Sequence, residues 1–163
     1  MRPDLAIETI EDLVQHLDLL DVTFLEERGR VVQRSDEEKS AMEWPLHVNQ
    51  MSVTQSKDKT VLRFRFRYVF SDVTAEYVAD ARVEYVSQEP FTVPEDVKLD
   101  YASRVAFMTA YPFIRSSIFG SATRLTQKVP VLGLVRQGEF EVGSAMSDDE
   151  VREAFFDNKA ELS

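Results

Sequence analysis

Apolar and polar residues alternate most regularly over residues 61–86. In TVLRFRFRYVFS, apolar side chains occupy every second position from 62 to 70, and arginines stand between several of them. AEYVADARVEYV continues with apolar side chains at every second position from 75 to 85. Successive side chains of a strand point to opposite faces of a sheet. The pattern therefore predicts two antiparallel strands with one apolar face and one charged face.

The register of this hairpin depends on the length of its turn. A two-residue loop pairs Phe70 with Ala75, and farther along it places large aromatic residues opposite alanines. On the charged face, the same register brings Arg65 opposite Asp80, within reach of an ion pair. Asp72-Val73 is not a favoured pair for a tight turn, so a longer loop is the alternative.

Two further strands are predicted upstream. Residues 20–24 alternate between apolar and polar, and so do residues 46–53, whose apolar positions change phase near Asn49 and Gln50. Such a change of phase indicates a bulge or a bend. Residues 28–43 are polar and show no period, which predicts a long loop between the two strands. The chain thus carries four strands that can form one antiparallel sheet.

Helical spacing of apolar residues begins near the N-terminus and resumes after the strands. Residues 4–18 form an amphipathic pattern with an acidic outer face, and residues 94–111 and 112–125 each carry an apolar face. Pro112 stands between the last two patterns. Because proline removes a backbone donor and clashes with the preceding turn, Pro112 is expected to divide two helices.

The last helical pattern is acidic and lies near the C-terminus. Ser147 and Glu150 form a capping box that opens a short helix over residues 147–161. Together the elements predict a single α+β domain over residues 1–163, a four-stranded antiparallel sheet with helices packed on one face. A chain of this length buries about 68–70% of its unfolded surface, so it needs no disulfide or metal to hold a core.

The acidic composition narrows the range of partners. The 163 residues include 29 Asp and Glu against 19 Lys and Arg, a formal net charge of −10. Such a surface repels nucleic-acid phosphates and anionic lipids and attracts basic partners, so neither nucleic acid nor a membrane is expected. Cysteine is absent, the stretch MRPDLAIETIEDLV is too acidic for a signal peptide, and no apolar run is long enough to span a bilayer. A cytoplasmic location is expected.

Residue patterns that perform catalysis are scarce. The two histidines, His16 and His47, lie on different predicted elements, and no nucleophile elbow, phosphate loop or dinucleotide fingerprint occurs. We therefore expect no metal site, no cofactor and no enzymatic activity. Carboxylates can catalyse without such motifs, so a hotdog-like α+β enzyme is the alternative from another class. A passive oligomeric adaptor is a third.

Four short segments follow the order and spacing of segments in a known family. They are Asp21-Val22-Thr23-Phe24, Glu43-Trp44-Pro45, Tyr111-Pro112-Phe113-Ile114-Arg115 and Pro130-Val131-Leu132-Gly133-Leu134. These segments resemble the first strand, the tryptophan before the second strand, the helix start and the Pro-x-Leu-x-Leu segment of the bacterial export chaperone SecB and its SecB-like relatives. The resemblance covers about residues 19–140, and the helix predicted over residues 4–18 has no clear counterpart in it.

This resemblance implies a SecB-like fold and a function. Members of the family bind unfolded or nascent polypeptides in hydrophobic grooves without ATP, and keep them unfolded for export or handover. They assemble as homotetramers that are dimers of dimers. Export members work with the SecA translocase motor, whereas relatives attached to toxin–antitoxin pairs serve an antitoxin. A dedicated antitoxin chaperone is therefore the alternative to a general export chaperone.

The resemblance also suggests which residues act. The implied walls of the peptide groove are apolar and lie near strand two and in the extended segment, at Trp44, Leu46, Val129, Val131, Leu132 and Leu134. The helix from Pro112 carries more apolar surface than one sheet face needs, so an oligomer interface is expected at Phe113, Ile114, Ile118, Phe119 and Ala122. Asp21 and Asp80 match acidic positions that dock the translocase. The alternatives are a core lid for Trp44, packing within the chain for Phe113 and Ile114, and solvated strand positions for the two aspartates.

Overall fold

The computed structural model describes residues 2–41, 43–125, 127–130 and 132, so the helix predicted over residues 147–161 lies outside the described residues. The described elements, in chain order, are β1 (Leu5–Ala6), α1 (Ile10–His16), β2 (Asp18–Val31), α2 (Asp36–Ala41), β3 (Leu46–Gln55), β4 (Val61–Ser71), β5 (Ala75–Val86), β6 (Phe91–Thr92), α3 (Glu95–Tyr101), a π-helical segment (Ala102–Ala106) and α4 (Phe107–Arg124). Strands β2, β5, β4 and β3 form an antiparallel sheet in that order. The predicted α+β class with a four-stranded antiparallel sheet is confirmed.

Strands β4 and β5 form the hairpin that the alternation predicts, with the same two faces but a different register. Phe70 pairs with Tyr77, and Arg67 rather than Arg65 stands directly opposite Asp80. The register predicted from a two-residue loop is therefore wrong by two residues. The assignment of side chains to faces is unaffected, because a shift of two keeps every side chain on its own face.

The turn between β4 and β5 explains the shift. The backbone N–H groups of Thr74 and Ala75 both donate to Oδ1 of Asp72, each over 2.7 Å. An aspartate that bonds the backbone in this way forms a side-chain-closed turn that is longer than the two-residue loop. The longer loop that the sequence left as an alternative is the one that forms.

Strand β2 extends into the predicted loop. Residues 28–31 pair with β5 as part of the strand, and register shifts lie between residues 19 and 21 and between residues 24 and 26. These irregularities disturb the alternation of apolar and polar positions, so the sequence pattern covered only residues 20–24. The prediction of one loop over residues 28–43 is therefore wrong at its start.

A second part of the predicted loop forms α2. The N–H of Glu38 donates to Oγ of Ser35 over 3.2 Å, and the N–H of Ser35 donates to Oε2 of Glu38 over 2.8 Å. This reciprocal pair is a capping box, and the sequence carries its signature. The apolar pattern gave no hint of a helix, because none of the residues of α2 is buried.

Strand β3 is continuous and lacks the predicted bulge. Its pairing with β4 shows no register shift from Leu46 to Gln55. The apolar positions change phase because they occupy different faces at the two ends of the strand. Leu46 and Val48 lie on one face, whereas Met51 and Val53 lie on the other, opposite aromatic residues of β4. The change of phase thus marks a change of apolar face.

The N-terminal helix is shorter than the predicted span of residues 4–18. It begins after Thr9, whose Oγ1 accepts a hydrogen bond from the N–H of Asp12 over 3.2 Å. Before it, β1 pairs in parallel with β6. Ile7 and Leu13 are both buried in the same apolar cluster as the sheet, so this N-terminal segment completes the core of the domain.

Pro112 does not divide two helices, contrary to the sequence prediction. Residues 95–124 are helical throughout, with a π-helical segment at residues 102–106. Pro112 is exposed, while Tyr111 and Ile114 beside it are buried. Burying such side chains stabilises a fold by about 1.5–3 kcal/mol each, which together offsets the roughly 3 kcal/mol cost of an internal proline.

Candidate functional site

The sheet has two faces that differ in chemistry. The core face carries the aromatic series of β4 and packs against the helices. The opposite face, called the back face below, carries arginines and carboxylates instead. Its ion pairs are Arg28–Glu26, Arg30–Glu76, Arg63–Glu84, Arg82–Glu84, Arg65–Asp80, Arg67–Asp80 and Arg67–Glu26.

Asp80 lies at the centre of these pairs and is 0% exposed. Arg65 donates to its two carboxylate oxygens over 2.9 and 2.7 Å, and Arg67 donates over 3.0 Å. The carboxylate is thus enclosed by guanidinium groups of its own chain and is not presented to a partner. Asp21, by contrast, is exposed and accepts a bond from the hydroxyl of Thr23 over 2.9 Å. Of the two predicted docking residues, only Asp21 remains accessible.

Trp44 is half-buried just before β3 and does not belong to the core cluster. The guanidinium carbon of Arg34 lies 4.3 Å from the centroid of its ring, and the indole N–H donates to the carbonyl of Lys39 over 3.2 Å. Arg34 also donates to the carbonyl of Asp72 over 3.0 Å and to Oγ of Ser71 over 2.6 Å. The indole is therefore held by polar groups, and it is not a lid over the core.

The predicted groove residues do not share one surface within the chain. Leu46 pairs with Ser71 and so lies on the back face, whereas Leu132 is 3% exposed and belongs to the core cluster. Val129 is half-buried. Val131 and Leu134 lie outside the described residues. The two described leucines are therefore separated by the sheet, because the position of Leu46 in the alternation of β3 turns it away from the core.

Helix α4 divides the predicted interface residues between two sides. Ile114, Ile118 and Ala122 are buried, as expected for positions four residues apart on the side that faces the sheet. Phe113 is 47% exposed and Phe119 is 57% exposed. The surplus of apolar residues in this helix thus lies at two exposed positions, apart from the buried side. Of the five predicted interface residues, Phe113 and Phe119 are the two that offer apolar surface to another chain.

Strand β2 exposes apolar residues that the sequence did not single out. They are Leu19, Leu20, Leu25 and Val31, between 44% and 55% exposed. Because β2 is at an edge of the sheet, it also presents backbone donors and acceptors that can pair with another chain. One sequence signal was present: Leu19 and Leu20 are adjacent, and adjacent strand residues cannot both face the core unless the strand is irregular.

His47 lies on the core-face side of the edge strand β3, beside aromatic residues. Its Nδ1 is 2.5 Å from the hydroxyl of Tyr68, and its ring meets that of Phe70 edge to face at 5.0 Å. Burial lowers the pKa of His47 below 6.5, and burial raises the pKa of Tyr68 to about 12. At neutral pH both groups are uncharged, so this pair does not supply an activated nucleophile.

Two further features are absent from the described part of the chain. No group of three or more His, Cys, Asp or Glu side chains there could hold a metal ion. None of its helices combines the length and the apolarity needed to cross a bilayer.

Comparison of the sequence with known proteins finds a relative along most of the chain. No protein-family model matches the chain. Over 145 residues the chain is 26% identical to the SecB-like chaperone SmegB of Mycolicibacterium smegmatis, and the match covers 89% of this chain and 93% of that protein. The similarity therefore extends over nearly the whole length of both proteins.

Comparison with solved structures shows a shared fold. The SecB-like chaperone Rv1957 of Mycobacterium tuberculosis, in complex with a ChAD peptide from the Rv1956 HigA1 antitoxin, aligns with a TM-score of 0.59 at 12% identity and covers 77% of this chain and 92% of that one. A protein of unknown function from Streptococcus agalactiae aligns with a TM-score of 0.50 at 6% identity, covering 72% and 97%. The resemblance in fold that the sequence predicted is confirmed.

Proposed function

We propose that this chain, a SecB-like protein, is a molecular chaperone that binds unfolded or nascent polypeptides without ATP and keeps them unfolded for export or handover. The observation that carries the proposal is the 26% identity to a SecB-like chaperone over 89% of the chain. The fold agrees with it. Such a chaperone needs apolar surface that an unfolded chain can reach, and exposed apolar side chains on β2 and α4 supply it.

We propose the client contact at the end of the back face where Trp44 and Leu46 lie. Both residues are half-buried, and Val48 follows on the same face of β3. Val129 is a further candidate among the described residues, and Val131 and Leu134 remain candidates from the sequence. Leu132 supports the fold instead, because it is buried in the core.

We propose that the protein assembles as a homotetramer through the outer side of α4. Phe113 and Phe119 are exposed there, and each contributes about 1.5–3 kcal/mol when it is buried against a partner. Light scattering coupled to gel filtration is expected to give four times 18.7 kDa, and a dimer after Phe113→Ser with Phe119→Ser. Leu99→Ser, which changes an exposed apolar residue of α3, is the matched control. A monomer at micromolar concentration would contradict the assembly.

The clients and partners follow from the two branches of the family. A SecB-like chaperone of similar fold was solved with a peptide from an antitoxin, so an antitoxin is the second candidate client beside exported proteins. For an export chaperone in the cytoplasm, the SecA translocase motor would dock at Asp21, the exposed member of the predicted acidic pair. A toxin–antitoxin pair in the neighbouring genes would favour the antitoxin client, and copurification of the motor would favour exported clients.

The chaperone proposal is tested by aggregation of an unfolded client. A chemically unfolded, aggregation-prone protein is diluted into buffer without nucleotide, and turbidity is recorded with increasing amounts of the chain. We expect suppression near one tetramer per client. Turbidity that persists at several-fold molar excess would overturn the proposal. The rival reading, a hotdog-like enzyme that uses a carboxylate, predicts turnover of thioester or enoyl substrates and no suppression.

A further inference from the structure

Arg34 connects two parts of the chain that are far apart in sequence. It lies between β2 and α2, and its side chain reaches the turn between β4 and β5. Its Nε donates to the carbonyl of Asp72 over 3.0 Å, and its Nη2 donates to Oγ of Ser71 over 2.6 Å. Ser71 is buried on the back face and pairs with Leu46. The guanidinium is thus fixed beside the start of β3.

The fixed guanidinium covers one face of the Trp44 indole. Its central carbon is 4.3 Å from the ring centroid, within the roughly 6 Å over which a cation and an aromatic face attract each other. The edge of the indole is held by its N–H, which donates to the carbonyl of Lys39 over 3.2 Å.

We infer that Arg34 is a positioning residue, which orders the Trp44 indole as one wall of the client surface. The inference rests on the proposed function, since an ordered indole serves a client only if the chain binds one. Ordering before binding raises affinity, because each side chain that is immobilised on binding otherwise costs conformational entropy. The indole then offers its remaining surface, next to Leu46, to an apolar side chain of the client.

The geometry requires arginine at this position. A planar guanidinium can donate in its own plane to two acceptors while its face lies on a ring. The ammonium of lysine is a point charge on a flexible stem, so it cannot make both hydrogen bonds and the stacked contact together. Arg34→Lys therefore keeps the charge and removes the arrangement. Ser71→Ala removes one of the two anchors and leaves the guanidinium present.

The experiment uses the fluorescence of Trp44, since the chain has a single tryptophan. In the assembled full-length protein, Arg34→Lys is expected to raise the acrylamide quenching constant about twofold and to weaken binding of a labelled, permanently unfolded lactalbumin about two- to fivefold. Ser71→Ala is expected to change both in the same direction and by less. Arg124→Lys is the matched control, because Arg124 also contacts a serine, Ser121 over 3.4 Å, but lies on α4 and is not among the groups that hold Trp44.

The outcomes separate this inference from the proposed function. A merely structural role for Arg34 would lower the melting temperature and leave the quenching and affinity of the folded protein unchanged, which would overturn the inference alone. Unchanged affinity in both variants despite increased quenching would also overturn it. If the unmodified chain does not bind the unfolded lactalbumin at all, the proposed function fails and the inference fails with it. Should Arg34→Lys not fold, Ser71→Ala decides by the same two measurements.

Discussion

The two faces of the sheet each exclude water, but by different means. On the core face, Phe66 packs edge to face against Phe107 of α4, with ring centroids 5.3 Å apart. On the back face, Asp80 is equally buried, yet it lies beneath Arg65 and Arg67, which bond its carboxylate. The apolar contact is non-directional and grows with the area buried. The charged contact depends on each partner, because a charge left unpaired in a buried place is costly.

This difference decides which face can serve a partner. The aromatic side chains of the core face pack against the helices. On this side, therefore, another chain can contact only the outer side of the helices or the edges of the sheet. On the back face the arginines hold their carboxylates in pairs. Its apolar end, at Leu46 and Val48, is half-exposed. We therefore expect changes on the core face to act on stability, and changes at the apolar end of the back face to act on client binding.

The largest effect is expected on the core face from Phe66→Ala. Phe66 is completely buried, and removing a buried phenylalanine side chain costs about 3–5 kcal/mol of the free energy of unfolding. Denaturation by urea, followed by circular dichroism, measures the change. Val14→Ala, at an exposed apolar position of α1, is the control and should stay within about 0.5 kcal/mol. A loss below 1 kcal/mol for Phe66→Ala would show that the core face is not packed as described.

The second effect is expected on the back face from Asp80→Ala. The substitution leaves Arg65 and Arg67 without their shared carboxylate. We expect a loss of about 2–3 kcal/mol, less than for a fully buried pair, because the side chain of Arg65 is 36% exposed and can turn toward water. The free energy of unfolding is measured as before, with Asp21→Ala as the exposed control. Equal effects of the two substitutions would mean that the back-face pairs do not hold the sheet.

The alternation along β4 and β5 predicted both faces correctly, whereas the contacts across them depended on details that alternation does not carry. The register of Phe70 changed by two residues because the side chain of Asp72 closes a longer turn. The phase change in β3 was taken for a bulge because sequence alone does not tell which face is apolar at each end of a strand. Pro112 was expected to break a helix, but burial of its neighbours outweighs its cost.

The candidate site could be predicted only in part, because its contacts also depend on how distant segments of the chain meet. Trp44 was identified because a lone tryptophan before a strand matched a family pattern. Arg34 was missed, since it comes from a polar stretch ten residues earlier and gains its role only when the turn at Ser71 is brought beside it. The family resemblance assigned Leu132 and Leu46, which are both apolar, to one groove. Their separation by the sheet became visible only from the pairing of β3 with β4.

The third prediction compares the effects of the same substitution at these two leucines on stability and on client binding. Leu132→Ser is expected to lower the free energy of unfolding by about 2–5 kcal/mol, because it opens a cavity in the core and buries a hydroxyl. Leu46→Ser is expected to cost less than about 1 kcal/mol and to weaken binding of an unfolded client. Melting temperature and client affinity are measured on the same samples. A stable Leu132→Ser variant with weakened client binding would show that Leu132 contributes to the client-binding groove.

The smallest change in stability is expected from His47, which lies on the core face of the edge strand β3. Burial lowers its pKa below 6.5, and the polar groups near it are the hydroxyls of Tyr68 and, beyond it, Tyr111. In the unfolded chain the imidazole takes up a proton near pH 6.5, whereas in the folded chain it does so only at lower pH. The unfolded state therefore binds more protons in this interval, and stability falls as the pH decreases from 6.5 through the folded pKa.

His47→Gln should remove this part of the pH dependence, while at pH 8 its amide oxygen can still accept a bond from Tyr68. Unfolding curves of both proteins at pH 8 and pH 5 measure the difference. If the two proteins lose equal stability between these pH values, His47 does not titrate below its usual range, and the edge of β3 is wetter than its aromatic neighbours indicate.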